Sequence, residues 1–352
     1  MGALVDDPSV DAELRISKLN RHTFWCGQSG SGKTYALGVL LEQVLIKTHL
    51  PVLVLDPNAD FVNMAKIRPG QDPAEAEILS SRDLRVLEPH GVNPLRVRFF
   101  GLPLATKAAI LRIDPIIDRV EYNALLHVRD HADGASDTDL YQFLKASLDP
   151  IHQALAQRIE NLQLMEWGIW AYDKKPATDI IAERPDATVV NLGGFEHAEE
   201  PLVVALSILE DLWARRHERR PIMIVIDEAH NFCAPDLESE LAREIRAQII
   251  RIAAEGRKYG LWLLLSTQRP SRIHPSILSQ CDNLALMRMG SSIDLGELVK
   301  TLSFVPENLA RLSPEFAQGQ ALFAGGFTAS PQRVQMRDRI TEEGGADVAV
   351  PV

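Results

Sequence analysis

The sequence has few cysteines, and no two of them are spaced for metal binding. Cys26, Cys233 and Cys281 are the three cysteines among 352 residues, and they lie far apart. An odd number of separated thiols, without a Cys-x-x-Cys pair, argues against a disulfide framework and against a zinc site. We therefore expect buried thiols in a reducing compartment.

The sequence also lacks long apolar runs. The longest of them, such as 261–265, have the length of a strand, far short of the roughly 20 apolar residues that a membrane helix needs. The segment 1–21 contains Asp6, Asp7 and Asp11, and it lacks the basic start and apolar centre of a signal peptide. We predict a cytoplasmic protein without a membrane segment.

Basic residues are outnumbered by acidic ones. Lys and Arg total 37 and Asp and Glu total 48, so the formal net charge is −11. This balance argues against a protein that is coated by nucleic acid over its whole surface. It leaves room for a local basic channel, for example inside a ring.

Strand-like and helix-like stretches alternate along the chain, which predicts an α/β architecture with a largely parallel sheet. The predicted strands are 22–26, 51–56, 84–87, 95–99, 188–192, 222–226, 261–266, 284–289, 321–324 and 332–335. The predicted helices are 33–47, 105–112, 121–127, 139–146, 152–170, 201–215, 241–255 and 295–301. The polar stretch 129–136 is predicted to be an exposed loop.

Residues 27–34 match the full pattern G-x-x-x-x-G-K-[ST] of a phosphate loop. Glycines let the backbone curl so that several N–H groups point at a phosphate, and the following helix favours negative charge at its N-terminus. Lys33 can reach the β- and γ-phosphates of ATP, and Thr34 offers a hydroxyl to Mg²⁺. The predicted nucleotide-binding residues are Gly27, Ser29, Gly30, Ser31, Gly32, Lys33, Thr34 and Tyr35.

The apolar strand 222–226 ends in two carboxylates, Asp227 and Glu228. In open α/β sheets, ligands bind beyond the carboxyl ends of the strands. We predict that Asp227 holds Mg²⁺ and that Glu228 is the general base that activates water. Asp56 ends the second strand and has two alternatives, a role near the Mg²⁺ or the base and a plain turn role.

Polar and basic residues surround the strand 261–266. Gln268 follows it and could sense the γ-phosphate or position the water, or it could be a turn residue before a proline. Arg257 could stabilise transition-state charge across a subunit boundary, with Arg246 and Arg251 as rivals and a structural role as the alternative. The basic run 215–220 is predicted to be a solvated helix end in preference to a DNA contact.

At this point the chain resembles the HerA-like ATPases of the HerA/FtsK superfamily, in four blocks that match in order and spacing. The blocks are 27–34, 54–60, 225–232 and 255–270. The resemblance implies a P-loop NTPase (RecA-like) fold, ATP and Mg²⁺ as cofactors, and a homohexameric ring around double-stranded DNA that works with a nuclease or another effector protein. It also implies the roles given above for Lys33, Asp227, Glu228 and Gln268, and it makes Arg257 similar to a trans-acting arginine.

Four segments follow from these motifs. We predict that 1–65 is the first part of the ATPase core, that 66–180 is a mainly helical insertion, that 181–340 is the rest of the core, and that 341–352 is a disordered tail. The small N-terminal β-barrel domain usual in HerA proteins is not expected here. A compact member of this kind could serve in DNA-end processing or in anti-phage defence, and we keep both as hypotheses.

Two other functions compete with a DNA motor. One is a regulatory or assembly ATPase whose ring gates a partner enzyme without translocating DNA. The other is a coupling ATPase of a secretion or conjugation apparatus, which is disfavoured because no membrane segment is predicted. A kinase is also disfavoured, because no acceptor-binding motif is evident.

Overall fold

The computed structural model describes residues 1–128, 137–172 and 174–345. The strands are β1 (Gly2–Leu4), β2 (Asp11–Ala12), β3 (His22–Cys26), β4 (Val52–Asp56), β5 (Leu84–Leu87), β6 (Ala187–Asn191), β7 (Ile222–Ile226), β8 (Leu261–Thr267), β9 (Cys281–Met287), β10 (Gln320–Gly325) and β11 (Gln332–Met336). The helices are α1 (Lys33–Lys47), α2 (Pro73–Ser80), α3 (Leu104–Leu111), α4 (Arg119–His127), α5 (Asp137–Ala146), α6 (Pro150–Asn161), α7 (Ala177–Ala182), α8 (Glu200–Ala214), α9 (His230–Cys233), α10 (Glu240–Glu255), α11 (Pro275–Leu278), α12 (Ser292–Thr301) and α13 (Glu307–Ala310).

These strands form one sheet in the order β2-β1-β11-β10-β9-β3-β8-β7-β4-β6-β5. The strands from β9 to β5 run parallel to one another, while β10, β11, β1 and β2 continue the sheet in antiparallel pairs. The carboxyl ends of β3, β8, β7 and β4 therefore meet at the same edge. The predicted α/β fold, with a mostly parallel sheet flanked by helices, is confirmed.

The central strands are covered on both faces. In β4, Leu53 and Leu55 pack into one apolar core, and Val52 and Val54 pack into a second core on the opposite face. Successive side chains of a strand point to opposite faces, so an almost continuous apolar run fits a strand between two helix layers. The strand β4 is therefore buried between two apolar cores.

The predicted middle region differs from expectation in two places. The strand expected at 95–99 is instead an irregular segment, where Val97 makes an isolated bridge to Trp170 and a tight turn begins at Phe99. The helix expected at 152–170 ends at Asn161, because Gln163 has a φ of 53° and starts a separate turn. A left-handed residue cannot continue a right-handed helix.

Three further predictions have different outcomes. Cys26, Cys233 and Cys281 are buried, as expected. The tail was predicted to be disordered from 341, yet Thr341 is buried and its N–H donates to Glu42. Polar groups on helix α1 thus hold the start of this segment. The loop predicted at 129–136 and the tail residues 346–352 lie outside the described residues.

Several elements were not predicted at all. Short strands β1 and β2 add to the sheet beside β11, and α2 and α7 are additional helices. Strand β5, inside the predicted insertion, joins the main sheet beside β6. Within the described residues, no helix combines the length and the apolar character that crossing a membrane requires.

Candidate active site

The phosphate loop connects the carboxyl end of β3 to the first residue of α1. Gly30 and Gly32 have φ values of 71° and 86°, a left-handed conformation that glycine adopts without strain. A Cβ added at Gly32 would lie 3.3 Å from the backbone nitrogen of Gly319, which itself donates to the carbonyl of Ser31. The two glycines therefore serve the shape of the loop as well as its approach to a phosphate.

The end of strand β9 supports the outer side of this loop. The guanidinium of Arg288 donates to the carbonyl of Gly30 over 2.9 Å, and the N–H of Gln28 donates to the carbonyl of Arg288. The side chain of Gln28 in turn accepts from the N–H of Gly290. Sequence reasoning missed Arg288, because nothing local reveals that β9 is the neighbour of β3.

Lys33 lies at the centre of the site. Its Nζ is 2.9 Å from Oδ1 of Asp227, 2.9 Å from Oγ of Ser266 and 3.2 Å from Oε1 of Glu228. Burial acts to lower the pKa of Lys33, but the two carboxylates outweigh it and raise that pKa. The ammonium group is therefore charged at the place where phosphate oxygens would meet the two acidic residues.

The carboxylate of Glu228 is oriented by groups from several elements. Nε2 of Gln268 donates to Oε1 over 2.9 Å, and Nδ1 of His230 lies 3.2 Å from Oε2. Burial acts to raise the pKa of Glu228, yet His230, Lys33 and Gln268 together lower it to about 2. Glu228 also has a φ of 42°, a conformation that costs about 1–3 kcal/mol in a residue other than glycine. Strain of this kind is concentrated at functional sites.

Three carboxylates form the place where a divalent cation fits. Oxygens of Asp56, Asp60 and Asp227 lie within 4.8 Å of one another, and Oδ2 of the fully buried Asp227 has no hydrogen-bond partner in the part of the chain that the structure describes. Carboxylates, and the hydroxyl of Thr34 that lines the same cleft as Asp60, are the hard oxygen ligands that Mg²⁺ prefers. Burial raises the pKa of Asp56 to about 6 and that of Asp60 to about 7, and neighbouring carboxylates add to the effect for both. A cation would relieve this repulsion.

Asp56 also shapes the backbone beside the site. Its two carboxylate oxygens accept from the N–H groups of Asp60 and Phe61, at 3.0 and 2.8 Å. These bonds are a turn role, one of the two alternatives that the sequence left open. They bring Asp60 back toward Asp227, so the turn also builds the carboxylate cluster.

An open cleft of about 780 Å³ runs over the phosphate loop, and the C-terminal part of the chain forms its other wall. That wall includes Gln318, Gly319, Gln335 and Arg337. Tyr35 lines the cleft as well, but its hydroxyl accepts from the backbone N–H of Arg339 and the guanidinium of Arg68. Sequence reasoning missed the C-terminal wall, since it lies some three hundred positions from the loop.

Arg257 is not in this cleft in its own chain. Its guanidinium pairs with Asp282, at the amino end of β9, and the phosphate loop follows the carboxyl end of the neighbouring β3. A five-residue strand separates the two edges by roughly 17 Å. Arg246 binds the carbonyls of Ala234 and Pro235 instead. Any action of Arg257 on a nucleotide has to reach a different subunit.

Two tryptophans of the middle region lie in the hydrophobic core. Trp167 and Trp170 are buried, and their rings stack with centroids 5.8 Å apart.

The basic run 215–220 follows the end of α8 and is largely exposed. Arg216 in this run lies over the ring of Trp213, at 4.6 Å from the centroid.

Known proteins resemble the chain over most of its length. The family model described as "Helicase HerA, central domain" matches residues 1–212. A probable helicase of Methanocaldococcus jannaschii is 31% identical over 128 residues, which are 36% of this chain and 24% of that protein. The DNA double-strand break repair helicase HerA of Pyrococcus furiosus is 23% identical, over 96% of this chain and 69% of its own length. The chain thus spans about a quarter of the first relative and about two thirds of the second.

A solved structure shares the fold. VirB4 of Thermoanaerobacter pseudethanolicus superposes with a TM-score of 0.61 at 16% identity, covering 96% of this chain and 95% of that one. This likeness concerns the fold alone, while the family match concerns the sequence. The chain belongs to the HerA central-domain family, as its four sequence blocks predicted, and it is a P-loop ATPase.

Proposed function

We propose that this chain is a homohexameric ring motor that couples ATP hydrolysis to movement along, or remodelling of, double-stranded DNA, together with a nuclease or another effector. The observation that carries the proposal is the meeting of Lys33, Asp227, Glu228 and Gln268 at one sheet edge beside the phosphate loop. The relative from Pyrococcus furiosus, named as a DNA double-strand break repair helicase, aligns with 96% of this chain and supports DNA as the substrate.

The chemistry follows from the geometry of the site. Backbone N–H groups of the loop and the charged Lys33 bind the phosphates, and Asp227 and Thr34 hold the cation. Bound Mg²⁺ supplies charge neutralisation at the phosphate oxygens. Glu228, held by Gln268, orients the attacking water and accepts its proton.

The cation site has a direct test. Wild-type protein should hydrolyse ATP only with Mg²⁺ present, and Asp227→Asn should need a much higher Mg²⁺ concentration. Asp236→Asn is the matched control, because Asp236 pairs with the exposed Arg272 outside the cleft. An unchanged Mg²⁺ requirement in Asp227→Asn would remove Asp227 from the cation site.

The role of DNA is tested by steady-state ATP hydrolysis with and without linear duplex DNA, on protein whose mass is measured in the same buffer. We expect a hexamer whose turnover rises with duplex DNA, and which displaces a third strand from a triplex only when ATP is hydrolysed. Glu228→Gln is the control that binds without turnover. A monomer, or a rate that is indifferent to DNA, would contradict the motor.

A second function, a ring ATPase that gates a partner enzyme, is favoured by the acidity of the chain. The formal net charge is −11, and Ile116 and Ile117 of the helical middle region have exposed fractions of 82% and 83%. Acidic surfaces repel DNA, and exposed apolar residues are typical of protein contacts. This function predicts slow hydrolysis that changes with the partner and not with DNA.

The cellular setting is part of the proposal. DNA-end processing and anti-phage defence are both compatible with a DNA motor that works with an effector. Deleting the gene should raise sensitivity to agents that break DNA in the first case, and to phage in the second. Unchanged sensitivity to phage would count against defence.

A further inference from the structure

His230 is a site residue that the motifs did not assign. It is the first residue of the short helix α9, two positions after Glu228. The backbone of this turn is held in place, because the N–H of Ala229 donates to the carbonyl of Ser266 and the N–H of Asn231 donates to the carbonyl of Glu228. The imidazole is thereby directed back toward the end of β8.

One nitrogen of the imidazole contacts two groups of the site. Nδ1 lies 3.2 Å from Oε2 of Glu228 and 3.2 Å from Oγ1 of Thr267. An ionised carboxylate only accepts hydrogen bonds, so the contact with Glu228 is favourable when Nδ1 carries a hydrogen. Thr267 is fully buried and also accepts from the N–H of Arg269, which places its hydroxyl.

The two oxygens of the Glu228 carboxylate have different neighbours. Gln268 and Lys33 both contact Oε1, at 2.9 and 3.2 Å. Oε2 is buried and makes no hydrogen bond within the described residues, and Nδ1 of His230 lies 3.2 Å from it. A carboxylate held on one oxygen alone could rotate about its terminal bond, because this torsion is broad.

We propose that His230 is a positioning residue: its Nδ1–H group, which lies 3.2 Å from both Oγ1 of Thr267 and Oε2 of Glu228, donates to Oε2 during turnover and holds the carboxylate of Glu228 in the orientation that aligns the attacking water. Small errors in the placement of a reacting group reduce a rate strongly. The inference deepens the hydrolytic part of the proposed function and does not depend on DNA. It assigns His230 to turnover and not to nucleotide affinity.

The experiment compares three variants of the full chain in the absence of DNA. Asn places its amide donor close to the position of Nδ1, whereas Gln places its donor farther out, near the position of Nε2. We expect His230→Ala and His230→Gln to lower kcat by about tenfold or more, with nucleotide affinity within twofold of wild type. His230→Asn should recover most of the lost kcat.

The melting temperature and the affinity for a non-hydrolysable ATP analogue are measured for each variant. Wild-type kcat in His230→Ala would overturn the proposal, and so would equal kcat values in His230→Asn and His230→Gln. The Asn and Gln comparison decides alone if the Ala variant does not fold. Hydrolysis by the wild-type protein is measured here without DNA. A wild-type rate that does not respond to DNA would therefore contradict the DNA motor and leave the comparison of the His230 variants valid.

Discussion

Nζ of Lys33 lies 2.9 Å from Oδ1 of Asp227, although 194 positions separate the two residues in the chain. The contact joins the phosphate loop after β3 to the acidic end of β7, and the end of β8 lies between them with Ser266. The ends of these three strands thus bring together the ammonium group of Lys33, the proposed metal ligand Asp227 and the proposed base Glu228. The consequences can be tested residue by residue.

Removing the charged side chain of Lys33 and removing the carboxylate of Glu228 should have different effects. Lys33→Ala should abolish nucleotide binding, because the phosphates lose their charged partner. Glu228→Gln should bind ATP and stall, because an amide cannot accept the proton from water. Binding of a fluorescent nucleotide and steady-state turnover check both variants. Normal turnover in Glu228→Gln would show that another group is the base.

The hydrogen bond from Gln268 to Glu228 should affect turnover more than affinity. Gln268→Ala removes a donor to an ionised group, which costs about 1.5–3 kcal/mol and corresponds to a kcat lower by roughly 10- to 100-fold. The apparent KM for ATP should change little. Gln280→Ala, a glutamine after the short helix α11, is the control and should retain wild-type kcat. A change confined to KM would make Gln268 a binding residue.

A trans-acting Arg257 should be revealed by mixing subunits. Arg257→Ala and Lys33→Ala are each expected to be inactive, and mixed rings should regain activity if an intact arginine reaches an intact phosphate loop of its neighbour. Asp282→Asn controls for the ion pair, since it removes the partner of Arg257 and keeps the guanidinium. Inactive mixtures would leave Arg257 with a structural role.

The buried His22 should make stability depend on pH. Its Nδ1 accepts from the N–H of Leu263, and its Nε2 contacts the carbonyl of Ala253. Burial, helped by the charge of Arg257, lowers the pKa of His22 to about 4. The unfolded chain then binds the proton more readily, so this residue's stabilising effect is present above pH 6.5 and is lost as the pH falls to about 4, a loss of about 3 kcal/mol.

The measurement for His22 is the free energy of unfolding by urea at several pH values, compared with His22→Asn. Asparagine retains an acceptor near Nδ1 and does not titrate. The comparison matters because Asp56 and Asp60 have raised pKa values, which favour the folded state as the pH falls. Parallel curves for the wild type and the variant would contradict the prediction.

Gly38 should be needed for packing inside helix α1. A Cβ at this position would lie 2.7 Å from Cζ of the fully buried Arg339. Gly38→Ala should therefore lower the free energy of unfolding by about 1–3 kcal/mol. Gly296→Ala in α12, where a Cβ would meet nothing within 4 Å, is the matched control and should be neutral or stabilising. Urea denaturation distinguishes the two.

Elements with strong local patterns were predicted to the residue. Strand β7 and helix α1 have the predicted bounds, because an apolar run and a glycine-rich loop determine them locally. The predicted helix 152–170 was longer than the observed helix α6 (Pro150–Asn161). The sequence did not show where it ends, because the left-handed turn at Gln163 and the stacking of Trp167 on Trp170 depend on tertiary packing. The roles of the residues that the motifs did not mark, His230 and Arg288, depend on which strand ends are neighbours.

The sequence by itself determined the family, the fold class, the phosphate loop and the acidic strand end, because each depends on residue types within a few positions of one another. Only the tertiary structure decided that His230 faces Glu228 and that the C-terminal segment forms a wall of the cleft. It also decided that Arg257 lies at the amino ends of the strands, opposite the phosphate loop. These relationships depend on strand order and on contacts between distant segments. Pairing among the eleven strands of the described residues is a property of the packed chain, and no local pattern contains it.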